Sequence, residues 1–100
     1  MGKKTLMLLL SLFIGIAAFA QGTVTGRVTS TEDGLPVIGA SVFVQGTSNG
    51  TVTDADGAFT LRNVPAGASL VFSYIGMKDE VLPAASRMEV TLSPDTNLLN

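Results

Sequence analysis

The sequence predicts an all-β domain, a seven-stranded antiparallel β-sandwich that follows an N-terminal leader. Three observations lead there. From Thr23 onward the chain is a series of short Val-, Thr-, Leu- and Phe-containing runs separated by Gly, Pro, Asn and Asp signals, the spacing of a small sandwich. Several runs alternate apolar and polar residues with the period of two that a half-buried strand requires. No stretch of ten or more residues beyond position 20 shows a helical period.

The leader comes first in the chain. Met1 to Ala20 opens with Lys3 and Lys4, continues as an apolar run from Leu6, and ends in Ala18-Phe19-Ala20 before the polar Gln21 and Gly22. A basic start, an apolar middle and a small-x-small end make a cleaved secretory signal peptide. The run is shorter than the ~20 residues that span a bilayer. It contains no Cys and is followed by none, so lipid attachment there is excluded. The expected mature chain begins at Gln21 and is exported, with no membrane span once the signal is removed.

The first strand is read from Val24, Gly26 and Val28, which alternate with Thr25, Arg27 and Thr29; Glu32-Asp33-Gly34 then turns the chain. A second run from Ala40 to Gln45 puts Ala40, Val42 and Val44 on one face and ends at Gly46-Thr47-Ser48-Asn49-Gly50. Thr51-Val52-Thr53 is a short third strand, closed by Asp54-Ala55-Asp56-Gly57, a tight turn in which an Asp carboxylate can hold backbone amides. The fourth runs from Ala58 to Arg62 with Phe59 and Leu61 together, and Val64-Pro65-Ala66-Gly67 turns again. Ser69 to Ile75 is the most apolar stretch past the leader and reads as a central strand buried on both faces, or on one face with aromatic cover. Glu80-Val81-Leu82 is a brief strand ended by Pro83, and Glu89 to Ser93 is the last, with Val90 and Leu92 inward. The domain therefore covers 21–93, and 94–100, without a strand pattern, starts a linker.

Composition narrows the chemistry. The 100 residues are 46% hydrophobic and carry a formal net charge of −2, but 14 of the hydrophobic residues lie in the leader. The chain beyond the leader has the apolar share of an ordinary soluble domain. It has four cations, Arg27, Arg62, Lys78 and Arg87, against eight acids, so nucleic acid is not expected as a partner. There is no His and no Cys. That removes the imidazole base, the thiol nucleophile, the Cys/His zinc site and any disulfide framework.

The remaining candidates have plain structural explanations. Asp54 and Asp56 sit at metal-like spacing, but the chain runs directly into Ala58-Phe59-Thr60-Leu61 and the bidentate acid of a calcium loop is missing. Nor do they suit acid/base catalysis, where paired carboxylates face each other across a cleft of ~5–9.5 Å. Asn49-Gly50-Thr51 fits a glycosylation acceptor pattern, yet the turn accounts for it. Phe43 and Tyr74 could stack on a sugar ring or dock a partner; as two of only six aromatics they are read as sandwich core. An exposed edge strand, which needs no special residue, could accept a strand from another protein. No catalytic, cofactor-binding or metal-ligating residue is expected, and no cofactor.

Four segments together carry a family resemblance. They are Val24-Thr25-Gly26-Arg27-Val28-Thr29; Gly34-Leu35-Pro36-Val37-Ile38-Gly39-Ala40-Ser41-Val42; the stretch from Gly46-Thr47-Ser48-Asn49-Gly50 to Asp54-Ala55-Asp56-Gly57-Ala58-Phe59; and that from Val64-Pro65-Ala66-Gly67 to Tyr74-Ile75-Gly76-Met77. In this order they closely resemble the carboxypeptidase-regulatory-like domain, and more narrowly the copy at the N-terminus of SusC/RagA-type TonB-dependent outer-membrane transporters of Bacteroidetes. The resemblance implies a transthyretin-like sandwich, bends at Gly39 and Gly76, a hairpin at Gly57 and a turn at Pro65-Ala66-Gly67. It also implies a periplasmic, non-catalytic accessory domain placed ahead of a TonB-interacting segment, a plug and a β-barrel. The sequence ends at Asn100 with none of those, and a barrel needs at least eight strands of ~9–11 residues. The expected partners are periplasmic proteins or the rest of such a receptor. The alternative is a stand-alone exported sandwich that binds a carbohydrate or a protein.

Overall fold

Strand β1, Gln21–Ser30, organises the molecule because its two edges are both used. Its even-numbered residues Val24 and Val28 are buried while Thr23, Thr25 and Arg27 face water, the alternation read from the sequence. A computed structural model describes residues 21–95, and among them are seven strands and no helix. After β1 come β2 (Ser41–Val44), β3 (Gly50–Val52), β4 (Ala58–Pro65), β5 (Ser69–Ser73), β6 (Glu80–Pro83) and β7 (Arg87–Leu92). The expected leader, 1–20, lies outside the described residues, as do 96–100 of the expected linker.

Two sheets form the sandwich, one ordered β4-β1-β7 and one ordered β3-β2-β5-β6. All pairings are antiparallel except β1 with β7, which is parallel from Thr25↔Arg87 to Ser30↔Leu92. That departs from the purely antiparallel expectation. A half-buried strand alternates with the same period in either orientation, so direction is set by which strand becomes its neighbour.

Between the sheets lies one core cluster. Val28, Ala40, Val42, Leu70, Phe72 and Leu92 are fully enclosed, and Val24, Val44, Phe59, Leu61, Val64 and Val90 nearly so. Burial of each large aliphatic or aromatic side chain contributes about 1.5–3 kcal/mol. Phe59 of β4 and Phe72 of β5 meet edge to face, with centroids 5.6 Å apart and rings at 66°, and so tie one sheet to the other. Gly26 of β1 pairs with Phe59 across the ladder, and a Cβ there would run into the Phe59 ring and the Met88 carbonyl. The inward glycine is therefore what lets Phe59 lie flat against β1.

Several boundaries differ from the sequence reading. β4 runs on through Pro65, which pairs with Gln21 at the very end of the ladder, where its missing N–H costs no interior bond. β5 stops at Ser73; Tyr74 is half-buried against the core and Ile75 is 90% exposed. Residues Pro94 and Asp95, placed in the expected linker, are held on the domain: Pro94 bridges Met77, and the Asp95 amide donates to the Gly76 carbonyl at 3.0 Å.

Candidate functional site

The Asp54–Gly57 turn is built by its first residue. Asp54 Oδ1 accepts from the Asp56 and Ala58 amides, both at 2.9 Å, while the Gly57 amide donates to the Asp54 carbonyl. Gly57 has a φ of 74° and its Cβ position is blocked by the Val28 carbonyl and Pro36, so only glycine fits. One of the two Asp54 carboxylate oxygens is thus held by backbone amides, and Asp56 is exposed beside it. Among the described residues no group of three or more His, Cys, Asp or Glu is assembled.

Thr53, read from the sequence only as part of a short strand, is buried at 3% exposure and clamps the β1–β2 connection. Its hydroxyl donates to the Val37 carbonyl at 2.5 Å and accepts from the Ala40 amide at 2.9 Å. Its backbone bonds Gly39 and Ala40 as well. Four polar groups of one loop are satisfied by one residue, which is why a Thr can sit in the interior.

Asn49 has a comparable task. Its Nδ2 donates to the Arg62 carbonyl at 2.9 Å, linking the β2–β3 hairpin to the edge of β4. The nitrogen that glycosylation would modify is therefore engaged across the sandwich.

The two aromatics separate. Tyr74 packs partly against the core, as expected. Phe43 does not belong to the core: with Val42 and Val44 buried, the strand period turns it outward, where it lies half-exposed in register with Val71 and with Gly50. Val71 is left 9% exposed on that outer face, with Phe43 and Val81 in register on either side.

The outer faces of the two sheets differ in charge. On β3-β2-β5-β6, the outward positions Ser41, Phe43, Val52, Val71, Ser73 and Val81 are all uncharged. On β4-β1-β7, Arg27, Arg62 and Arg87 face out with a single acid, Glu89, among threonines. Three of the four cations past the leader thus share one face of an otherwise acidic domain. The parity of these residues is readable from the sequence, but the adjacency of β1 and β7 that gathers them is not.

Fold and surfaces define a small two-sheet β module whose charged and polar groups hold turns, loops and edges. The chain belongs to the CarboxypepD_reg-like domain family, whose model matches residues 24–100. It is 43% identical over its whole length to the TonB-dependent receptor SusC of Bacteroides thetaiotaomicron, covering 10% of that protein. It is 44% identical over 88 residues to the TonB-dependent receptor P39 of Formosa agariphila, covering 88% of this chain and 8% of that protein. The chain therefore spans about a tenth of the length of these relatives and corresponds to an N-terminal domain of such receptors. Among solved structures it is similar in fold to a chain of a mutant type II cohesin–X–dockerin complex from Acetivibrio cellulolyticus. The TM-score is 0.60 at 20% identity, over 73% of this chain and 58% of that one. A second mutant of that complex gives a TM-score of 0.53 at 22% identity, over 72% of this chain and 52% of that one.

Proposed function

We propose that this chain is an exported, non-catalytic accessory domain of a TonB-dependent outer-membrane nutrient transporter, resident on the periplasmic side. The observation that carries the reading is the match to two TonB-dependent receptors, along the entire chain for one and 88% of it for the other. The geometry is compatible with it: Asp54 Oδ1 and the Thr53 hydroxyl hold backbone groups of a turn and a loop. Residues 1–20 act as a cleaved signal peptide in this reading, and Gln21 is the first residue of the mature chain.

An antibody raised against the domain tests this in cells. A reactive band of about the length of the receptor relatives in the outer-membrane fraction, with mass spectrometry placing its N-terminus at Gln21, is the expected result. A short reactive species in the medium, with no receptor sequence encoded downstream of Asn100, overturns it.

A second reading, a stand-alone exported sandwich that binds a carbohydrate, is favoured by one observation. Phe43 is half-exposed on an uncharged face, with Ser41, Ser48 and Gly50 beside it. A glycan array probed with the chain, and repeated with Phe43→Ala, tests that reading; no Phe43-dependent binding sinks it.

A further inference from the structure

We propose that the outer edge of β7 is a strand-acceptor site, and that its occupant is an extended segment of another protein in which apolar residues alternate with acidic ones. This goes beyond the reading of the chain as a non-catalytic accessory domain.

The parallel β1–β7 ladder is bounded by the Thr25 amide donating to the Ser86 carbonyl at 3.1 Å and the Thr31 amide donating to the Leu92 carbonyl at 3.0 Å. In a ladder so registered, Met88, Val90 and Leu92 direct their backbone groups at β1. The N–H and C=O groups of Arg87, Glu89 and Thr91 then point away from it. No other strand among the described residues pairs with β7 itself; its outer edge is taken up only past its end, where the Lys78 amide donates to the Ser93 carbonyl and Pro94 bridges Met77.

The other three edges are blunted. On β4, Ala58 exchanges bonds with Asp54, and the Arg62 carbonyl is taken by Asn49. Strand β3 is three residues long, and β6 is four residues ending in Pro83. Short strands, proline and side-chain covers are the usual protections of an edge. β7 has six residues with regular alternation and neither Pro nor Gly.

The sheets are also unequal, three strands against four. On one flank β4 lies against β3 and β2. On the other, β6 has no counterpart beside β7, and its inward residue Leu82 remains only partly buried against the core. A fourth strand added to β7 would cover the partly buried Leu82 with its inward side chains, which sets the apolar half of the pattern. Its outward side chains would join the face that carries Arg27, Arg62 and Arg87 against Glu89 alone. Glu89 is in register with Arg27, leaving Arg62 and Arg87 unmatched, with Arg87 on β7 itself. That sets the acidic half.

Hydrogen exchange of the chain with an alternating Val-Glu peptide, and with its Val-Lys counterpart, tests the assignment. The acidic peptide is expected to protect the Arg87, Glu89 and Thr91 amides and to bind about tenfold more tightly than the basic one at low salt. Arg87→Glu should reverse that order. Thr91→Pro, which deletes one edge donor and no β1 bond, should weaken binding about tenfold or more. Equal binding of both peptides, protection at another edge, or concentration-dependent protection without any peptide, as a second copy of this chain would give, each overturns the proposal. Such failure leaves the receptor reading intact, since that rests on cell fractionation.

Discussion

Thr53 shows how much of this small domain rests on one hydroxyl. Thr53→Val keeps the shape but strands the buried Ala40 amide and Val37 carbonyl, a loss of about 2–4 kcal/mol from the two orphaned groups. Thr53→Ser keeps both bonds and should cost about 1 kcal/mol for the missing methyl. Urea unfolding of the three proteins measures the difference; equal midpoints for wild type and Thr53→Val would refute the clamp. Asp54 gives a second case. Asp54→Asn preserves an acceptor for the Asp56 and Ala58 amides and should be nearly neutral, whereas Asp54→Ala should cost about 1 kcal/mol. A large, calcium-dependent loss in Asp54→Asn would instead revive a metal role for the turn. The turn itself was legible because Asp-x-Asp-Gly has one good local solution. Thr53 was not, since nothing in Thr51-Val52-Thr53 says that a loop 16 residues earlier will need a donor and an acceptor.

At the scale of the element, the strands were legible from alternation and turn residues, while their neighbours were not. Val24 and Val28, Val42 and Val44, Phe59 and Leu61, and Val90 and Leu92 all face inward as the period requires. Phe43 was misplaced because aromatic character was set above parity: with a buried valine on either side of it, the strand could only turn it out. The parallel β1–β7 pairing joins residues 62 apart, such as Thr25 and Arg87, and no local pattern encodes that. It makes a direct prediction for hydrogen exchange in the free chain. Amides of Met88, Val90 and Leu92 should exchange slowly and those of Arg87, Glu89 and Thr91 rapidly, a saw-tooth along β7. An antiparallel or slipped pairing would shift the phase of that pattern by one residue and would be seen at once.

For the molecule as a whole, the decisive contact is the one made last. Among the seven described strands β1 is first in sequence and β7 last, yet β7 supplies Met88, Val90 and Leu92 to the core and satisfies the odd-numbered amides of β1. Until residue 92 is available the three-stranded sheet is a two-stranded ribbon with Val28 and Phe72 under-covered. Two-stranded ribbons are marginal in water, and a domain of this size has little surplus stability to offset the loss. A chain ending at Ser86 should therefore lack a cooperative thermal transition, while the intact chain shows a single one. Because its key pairing is so distant in sequence, the intact chain should also refold in milliseconds to seconds, the range of sandwiches dominated by non-local contacts, and not in microseconds. Stopped-flow refolding beside the truncated chain decides the matter: a cooperative transition in the protein that ends at Ser86 would show that β7 is dispensable, and with it the account of β1 as a strand that needs both neighbours.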